Sequence, residues 1–138
     1  MSKEEWLVFL RDRPRTAKVA TVRPDGRPHV APVWFELDGE DLLFTTGATT
    51  VKGRSLRRDP RLSLCVDDEQ PPFSFVVIEG TATISEEPAD LLHWATRIGG
   101  RYMGADRAEE YGARNGVPGE LLIRVRVDRV VAESRVAD

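Results

Sequence analysis

The segment from residue 45 to residue 54 has the residue types of a phosphate-binding turn. Its hydroxyl-rich part, Thr45-Thr46-Gly47-Ala48-Thr49-Thr50, leads from an apolar strand into a short basic helix with Lys52 in its first turn. Backbone N–H groups and the positive end of a helix dipole attract an anion, hydroxyl groups add donors, and a lysine adds a point charge. Because the segment lacks the Gly-x-x-x-x-Gly-Lys-Ser/Thr pattern of a P-loop, a capped surface helix with solvated cations remains the alternative interpretation.

A run of cations accompanies this turn, at Lys52, Arg54, Arg57, Arg58 and Arg61. Such a run is typical of a solvated surface, and Asp59 offsets part of its charge. The alternative is that these cations form a positively charged binding surface for a polyanion. A phosphate-bearing cofactor with an acidic tail suits the run better than duplex DNA does, because the whole chain has a net charge of −3 and nucleic-acid-binding domains are usually strongly basic.

Other reactive side chains give weaker signals. His29 and His93 have no recognisable serine or cysteine nucleophile beside them, so a hydrolytic triad is not indicated. Cys65 lies between two aliphatic residues and is predicted to be a small buried hydrophobe. The spacing of the cysteine and the histidines matches no zinc motif. We therefore expect no metal site, with haem ligation by the histidines as the alternative.

The elements that position these residues are mostly strands, because apolar and polar residues alternate. Six strands are predicted, at residues 17–23, 28–37, 41–46, 62–66, 75–84 and 120–131. Asp-Gly turns join the first three into an antiparallel succession. Pro28 and Pro32 place the second strand at a sheet edge or at a bulge, since proline cannot donate to a ladder. Gly80 indicates a bulge or a close backbone approach in the fifth strand.

Four helical segments are predicted around the strands. The first begins with a capping box formed by Ser2 and Glu5, and the second spans residues 51–59 behind a threonine cap. The third spans residues 88–103, and a fourth fragment covers residues 107–114. An apolar stripe on the third helix consists of Leu91, Ala95, Ile98 and Tyr102. Six mostly sequential strands favour a small closed barrel, because closure removes exposed sheet edges.

Length and composition limit the class of protein. The 138 residues suit one domain, predicted to span residues 1–138, that folds without disulfides or metals. A single cysteine excludes an intramolecular disulfide. There is no run of 18 apolar residues, and the acidic opening segment is unlike a signal peptide. We therefore expect a cytoplasmic protein that binds neither membranes nor nucleic acids.

Five short segments occur in an order and spacing that are distinctive when taken together. They are Lys18-Val19-Ala20-Thr21-Val22 with Asp25-Gly26, Pro28-His29-Val30 with Pro32-Val33-Trp34-Phe35, Leu43-Phe44-Thr45-Thr46, Lys52 with Leu56 and Asp59-Pro60-Arg61, and Glu79-Gly80-Thr81-Ala82. Over about residues 5–132 the chain resembles the pyridoxamine 5′-phosphate oxidase-like split β-barrel proteins, which bind flavins or deazaflavins. The basic stretch 56–61 is most similar to the actinobacterial subgroup that uses the deazaflavin coenzyme F420.

This resemblance implies a fold, an assembly and a cofactor site. The fold is expected to be mainly β, a six-stranded antiparallel split β-barrel with short flanking helices. The protein is expected to be a homodimer with two cofactor sites between its protomers. By the same resemblance, the cofactor phosphate would contact Lys52, in a turn shared with Thr50 and Val51. The residues expected beside the ribityl chain and the ring system are Thr45, Thr46, Gly47, Pro32, Val33 and Trp34.

The function that the resemblance implies is an F420-dependent oxidoreductase, in which the reduced deazaflavin gives a hydride to a small conjugated or aromatic substrate. No catalytic side chain is predicted, since solvent or the cofactor can supply a proton. Two alternatives keep the fold: an FMN-dependent oxidoreductase, and a protein that binds F420, FMN or haem without turnover. An arginine that points into the groove would favour F420 through its acidic tail; the candidates are Arg54, Arg57 and Arg58.

Overall fold

A computed structural model describes all residues from Met1 to Asp138, which form seven strands and four α-helices. A single 3-10 turn, Ala105–Arg107, joins the last two helices. In chain order the elements are α1 (Lys3–Asp12), β1 (Ala17–Val22), β2 (Pro28–Val33), β3 (Glu36–Asp38), β4 (Asp41–Gly47), α2 (Val51–Arg58), β5 (Arg61–Asp67), β6 (Phe75–Ser85), α3 (Pro88–Met103), α4 (Ala108–Asn115) and β7 (Glu120–Glu133).

All seven strands belong to one antiparallel sheet in the order β2-β1-β5-β6-β7-β4-β3. β2 and β3 lie at opposite edges of this sheet, although only Trp34 and Phe35 separate them along the chain. The sheet must therefore curl until its two edges are adjacent at these residues, which produces a split β-barrel. The predicted class, a mainly β antiparallel barrel with short helices, is confirmed.

The predicted count of six strands is wrong by one, because the second predicted strand is broken in its middle. Its first part, β2, pairs with β1, whereas its last part, β3, pairs with β4. The break is stabilised by side chains of α3: the Tyr102 hydroxyl accepts a hydrogen bond from the Phe35 N–H at 3.1 Å, and the Arg101 guanidinium donates to the Phe35 carbonyl at 3.1 Å. These bonds replace the ladder bonds that Phe35 loses where the chain changes partners.

Local sequence signals set several element ends as predicted. Ser2 forms the capping box at the start of α1, and Thr50 caps α2 by accepting a hydrogen bond from the Gly53 N–H at 3.1 Å. The register between β6 and β7 shifts immediately before Gly80, where the bulge was expected. A Cβ atom at Gly80 would lie 2.5 Å from the Val125 Cγ1 atom, so the neighbouring strand also approaches as closely as predicted.

The barrel interior is filled by the inward-facing side chains of the strands. One cluster of 20 buried residues runs through it and includes Phe35, Phe44 and Ile123, with Trp6 and Leu10 added from α1. A second cluster consists of Leu43, Leu91 and Leu122, and joins α3 to the opposite face of β4 and β7. The helices after β6 are thereby fixed on the outside of the barrel. No helix is both long and apolar enough to cross a membrane.

Candidate functional site

A cavity of about 350 Å³ opens between the ends of β2 and β4, the first turn of α2 and helix α3. This volume is within the range of small-molecule sites. Five of the nine predicted site residues line it, namely Pro32, Val33, Trp34, Thr45 and Lys52. The other lining residues are Thr16, Ala95, Ile98, Asn115 and Glu120.

The remaining four predicted residues form the strand-to-helix junction and do not line the cavity; they are Thr46, Gly47, Thr50 and Val51. The Thr50 hydroxyl donates to the Gly47 carbonyl at 2.8 Å and accepts from the backbone of α2. It also lies 3.0 Å from the Thr46 hydroxyl. The hydroxyls of Thr46 and Thr50 are therefore engaged in hydrogen bonds that hold the turn.

The junction is tight because Gly53 lies against the end of β4. A Cβ atom at this position would be 2.3 Å from the Gly47 carbonyl oxygen. The glycine thus lets α2 begin directly after the turn, with Val51 as its first residue and the cavity-lining Lys52 as its second. Their backbone N–H groups have no intrahelical acceptor, as at the start of any helix, and they have no other acceptor in this chain. Two backbone donors are available there.

Lys52 brings a free positive charge to the same place. Lys52 lines the cavity, and its ammonium group has no carboxylate oxygen within 4.0 Å. The neighbouring arginines are engaged elsewhere: Arg57 binds Glu86 at 3.1 Å, and Arg58 donates to a β1 carbonyl. Arg54 is exposed and, like them, does not line the cavity. None of these three arginines therefore lines the cavity within this chain, and Lys52 is the only cation of the cavity.

Glu120 is the only acidic residue of the cavity, and no sequence signal pointed to it. It begins β7 directly opposite Gly47, and its Oε2 atom lies 3.2 Å from the place that a Cβ atom of Gly47 would take. Burial raises the pKa of the Glu120 carboxyl, and the charge of Lys52 opposes this shift with a smaller effect. The half-buried carboxylate therefore lies beside the turn between β4 and α2.

An aromatic wall closes another side of the cavity. The Trp34 indole stacks on the Tyr102 ring with centroids 5.1 Å apart and planes 5° apart, and the Tyr111 ring is tilted against it at 5.7 Å. The Tyr102 hydroxyl donates to the Arg15 carbonyl at 2.7 Å, and burial raises the pKa of this phenol. Trp34 is thus held by a fixed ring, and a flat apolar surface of this kind suits a planar conjugated ligand.

The lining residues that sequence reasoning missed have different origins. Ala95 and Ile98 were predicted as core because they lie on the apolar stripe of α3, and both are indeed buried. Both residues also line the cavity, and the helical periodicity of the apolar residues does not indicate this second role. Thr16 precedes β1 and Asn115 ends α4, and residues at such element ends carry no periodic signal.

The histidines and the cysteine lie away from the cavity. Exposed His93 packs edge-on against Trp94, with centroids 5.1 Å apart, and His29 lies opposite Thr21 on β2. Cys65 is half-buried and not buried as predicted, because its aliphatic neighbours take the inward-facing positions of β5. No group of three or more His, Cys, Asp or Glu side chains is arranged to hold a metal ion.

Comparison with known sequences identifies the family of the chain. The family model described as pyridoxamine 5′-phosphate oxidase matches residues 2–133. A curated relative, the pyridoxine/pyridoxamine 5′-phosphate oxidase of Hyphomonas neptunium, is 30% identical over 121 residues, which are 87% of this chain and 49% of that protein. The chain therefore spans about half the length of this relative.

Two solved structures are similar over nearly the whole chain. The conserved hypothetical protein Rv2991 from Mycobacterium tuberculosis superposes with a TM-score of 0.84 at 27% identity, covering 98% of this chain and 86% of that one. An F420 reductase superposes with a TM-score of 0.70 at 29% identity, covering 90% of this chain and 94% of that one. Since the family model extends over almost every element described above, the chain belongs to the pyridoxamine 5′-phosphate oxidase family.

Proposed function

We propose that this protein is an oxidoreductase that uses coenzyme F420 to reduce a small conjugated or aromatic substrate. The observation that carries the proposal is the free Lys52 ammonium at the start of α2, in one cavity with the flat indole of Trp34. The similarity to an F420 reductase at 29% identity supports the choice of cofactor. Membership of an oxidase family supports redox chemistry.

The cavity residues fit a cofactor with a planar ring and a phosphate group. Lys52 and the two free N–H groups of the α2 turn are the donors that a phosphate requires. Thr45 adds a hydroxyl group, while Pro32, Val33 and Trp34 add apolar surface. We infer that the cofactor fits because these donors and apolar side chains are grouped around one cavity.

A reduced deazaflavin supplies the hydride when it is bound, and the protein supplies orientation and a water-poor surrounding. Trp34 is held by Tyr102 as a wall for the ring, and Ala95 and Ile98 are buried apolar residues at the same cavity. We assign no catalytic side chain, because the only titratable lining groups are Lys52 and Glu120, which lie beside the α2 turn.

We further infer that the active unit is a homodimer. The outer face of the β1–β2 edge is apolar and exposed, with Val30 66% and Val22 44% accessible and Pro28 and Pro32 on the same side. Monomeric proteins rarely leave such a contiguous apolar face uncovered. Because Pro32 belongs both to this face and to the cavity, a second copy packed on the face would border the cofactor as well.

Equilibrium titration with F420 and with FMN tests the choice of cofactor, with tryptophan fluorescence as the signal. Quenching by F420 that disappears in Trp34→Phe and persists in Trp94→Phe would support the assigned cavity, since Trp94 lies outside it. Oxidation of reduced F420 by quinone or nitroaromatic acceptors would then test turnover. Tighter binding of FMN would support the FMN-dependent alternative, and binding of neither would refute both proposals.

A further inference from the structure

The turn between β4 and α2 is bordered by one positive and one negative side chain, Lys52 of α2 and Glu120 of β7. The two do not form an ion pair within 4.0 Å, so the carboxylate is not neutralised by direct contact. Glu86, which shares a neighbouring pocket with Glu120, is bound by Arg57 at 3.1 Å. The loop 116–119 and the end of β4 add no charged side chain to this region. Glu120 is therefore placed to act on any anion that Lys52 attracts.

We propose that Glu120 makes this turn select a phosphate group with one negative charge over a phosphate group with two. The inference deepens the proposed function, because it concerns the phosphate end of the same cofactor. When Glu120 is ionised, it offsets the charge of Lys52, and the helix dipole contributes only about half a positive charge. One ligand charge can be accommodated by these groups, and a second charge is repelled by Glu120.

The distinction separates two chemical classes of ligand. A phosphate diester carries one negative charge, and the phosphate of F420 is a diester because it joins the ribityl chain to the acidic tail. FMN ends in a phosphate monoester, whose charge approaches two at neutral pH, since the second ionisation of such a group has a pKa of about 6. Glu120 would therefore favour the deazaflavin over the flavin without any contact to the ring.

A monoester can bind when Glu120 takes up a proton. The carboxylate oxygen then forms an O–H bond with a proton from solvent, and the neutral carboxyl group can donate a hydrogen bond to the phosphate. One proton would be consumed for each monoester bound in this way. The charge of Lys52 from α2 acts on this carboxyl group, whereas Glu86 before α3 is already paired with Arg57.

The test compares FMN, riboflavin and F420 as probes of the wild type and of two variants. Glu120→Gln should tighten FMN binding about tenfold, the effect of one charge at a distance of several ångströms in a partly hydrated site. F420 binding should change much less, and riboflavin binding should not change. Glu133→Gln is the matched control, since it removes the same charge from the exposed far end of β7 and should leave all three affinities unaltered.

A second measurement requires no variant. In the wild type, the ratio of FMN to F420 dissociation constants should rise between pH 5 and pH 8, because the monoester gains its second negative charge over that range and the Glu120 carboxylate repels it. A turn governed by Lys52 alone would show the opposite trend, since the dianion would then bind more tightly. A ratio that stays constant or falls would overturn the proposal.

The ligands also separate a failure of this inference from a failure of the proposed function. If FMN binds more tightly than riboflavin and Glu120→Gln has no effect, the phosphate-binding turn stands and the role of Glu120 is refuted. If FMN and riboflavin bind equally to the wild type and F420 does not bind, the proposed cofactor site is itself wrong. Calorimetry of FMN binding in two buffers of different ionisation enthalpy should show greater proton uptake by the wild type than by Glu120→Gln.

Discussion

Replacement of Lys52 by alanine is the sharpest perturbation of the proposed phosphate site. The substitution removes the only cation of the cavity and leaves the helix backbone in place. Since the ammonium forms no bond within the chain, its loss should not weaken the fold. The effect is therefore expected in ligand binding and not in stability.

The expected magnitude follows from the surroundings of Lys52. A hydrogen bond between charged partners contributes about 1.5–3 kcal/mol, which corresponds to roughly 10- to 150-fold in a dissociation constant. Lys52 is half-buried, and Glu120 offsets part of its charge, so we expect the lower part of this range. Lys52→Ala should weaken F420 binding about 10- to 30-fold, with little change in melting temperature.

The assay is a fluorescence titration with F420, read through Trp34. Arg54→Ala is the matched control, because Arg54 lies one residue beyond Gly53 on the same helix, is exposed and does not line the cavity. The control should bind F420 as tightly as the wild type. An F420 affinity that Lys52→Ala leaves unchanged, in a folded protein, would refute the phosphate assignment, and equal weakening by both variants would reduce it to a general effect of surface charge.

Three further substitutions test the surroundings of the cavity. Tyr102→Phe keeps the ring on Trp34 but removes both bonds of the hydroxyl, and chemical denaturation should show a loss of about 1–3 kcal/mol in the free energy of unfolding; an unchanged value would contradict the bracing role. Gly53→Ala should cost a similar amount and weaken F420 binding, because its methyl group meets a backbone carbonyl; wild-type stability and affinity would disprove this. Val30→Asp should convert the expected dimer to a monomer in light scattering. Val8→Asp on α1, a similarly exposed valine, should not do so, and two dimeric variants would argue against the β1–β2 face as the interface.

Local features of the fold could be predicted from the sequence because short-range physics determines them. The Asp-Gly turns place glycines at positive φ, 87° at Gly26 and 60° at Gly39, a conformation that other residues rarely adopt. Pro28 and Pro32 predicted an edge strand, and β2 is an edge strand. Each of these signals depends on a few adjacent residues, so no knowledge of the remainder of the chain is needed.

The break at Trp34 and Phe35 could not be predicted in this way. Residues 28–37 contain no Gly, Asn, Asp or Ser that would signal a turn, so the sequence indicates a single strand. The change of partner is imposed by the curl of the whole sheet, which brings β3 beside β4 and leaves β2 beside β1. The groups that stabilise the break, Arg101 and Tyr102, lie more than sixty residues further along the chain.

The candidate site also combines features that the local sequence determines with features that depend on the tertiary structure. The sequence by itself determined a glycine-containing turn before a basic helix, with Lys52 at its start, because capping and helix geometry are local. Only the tertiary structure decided that Thr46 and Thr50 are used within the turn, and that pairing of β7 with β4 brings Glu120 beside it. Strand pairing joins residues that are distant in the chain, so the charge balance of the cavity is a property of the folded barrel.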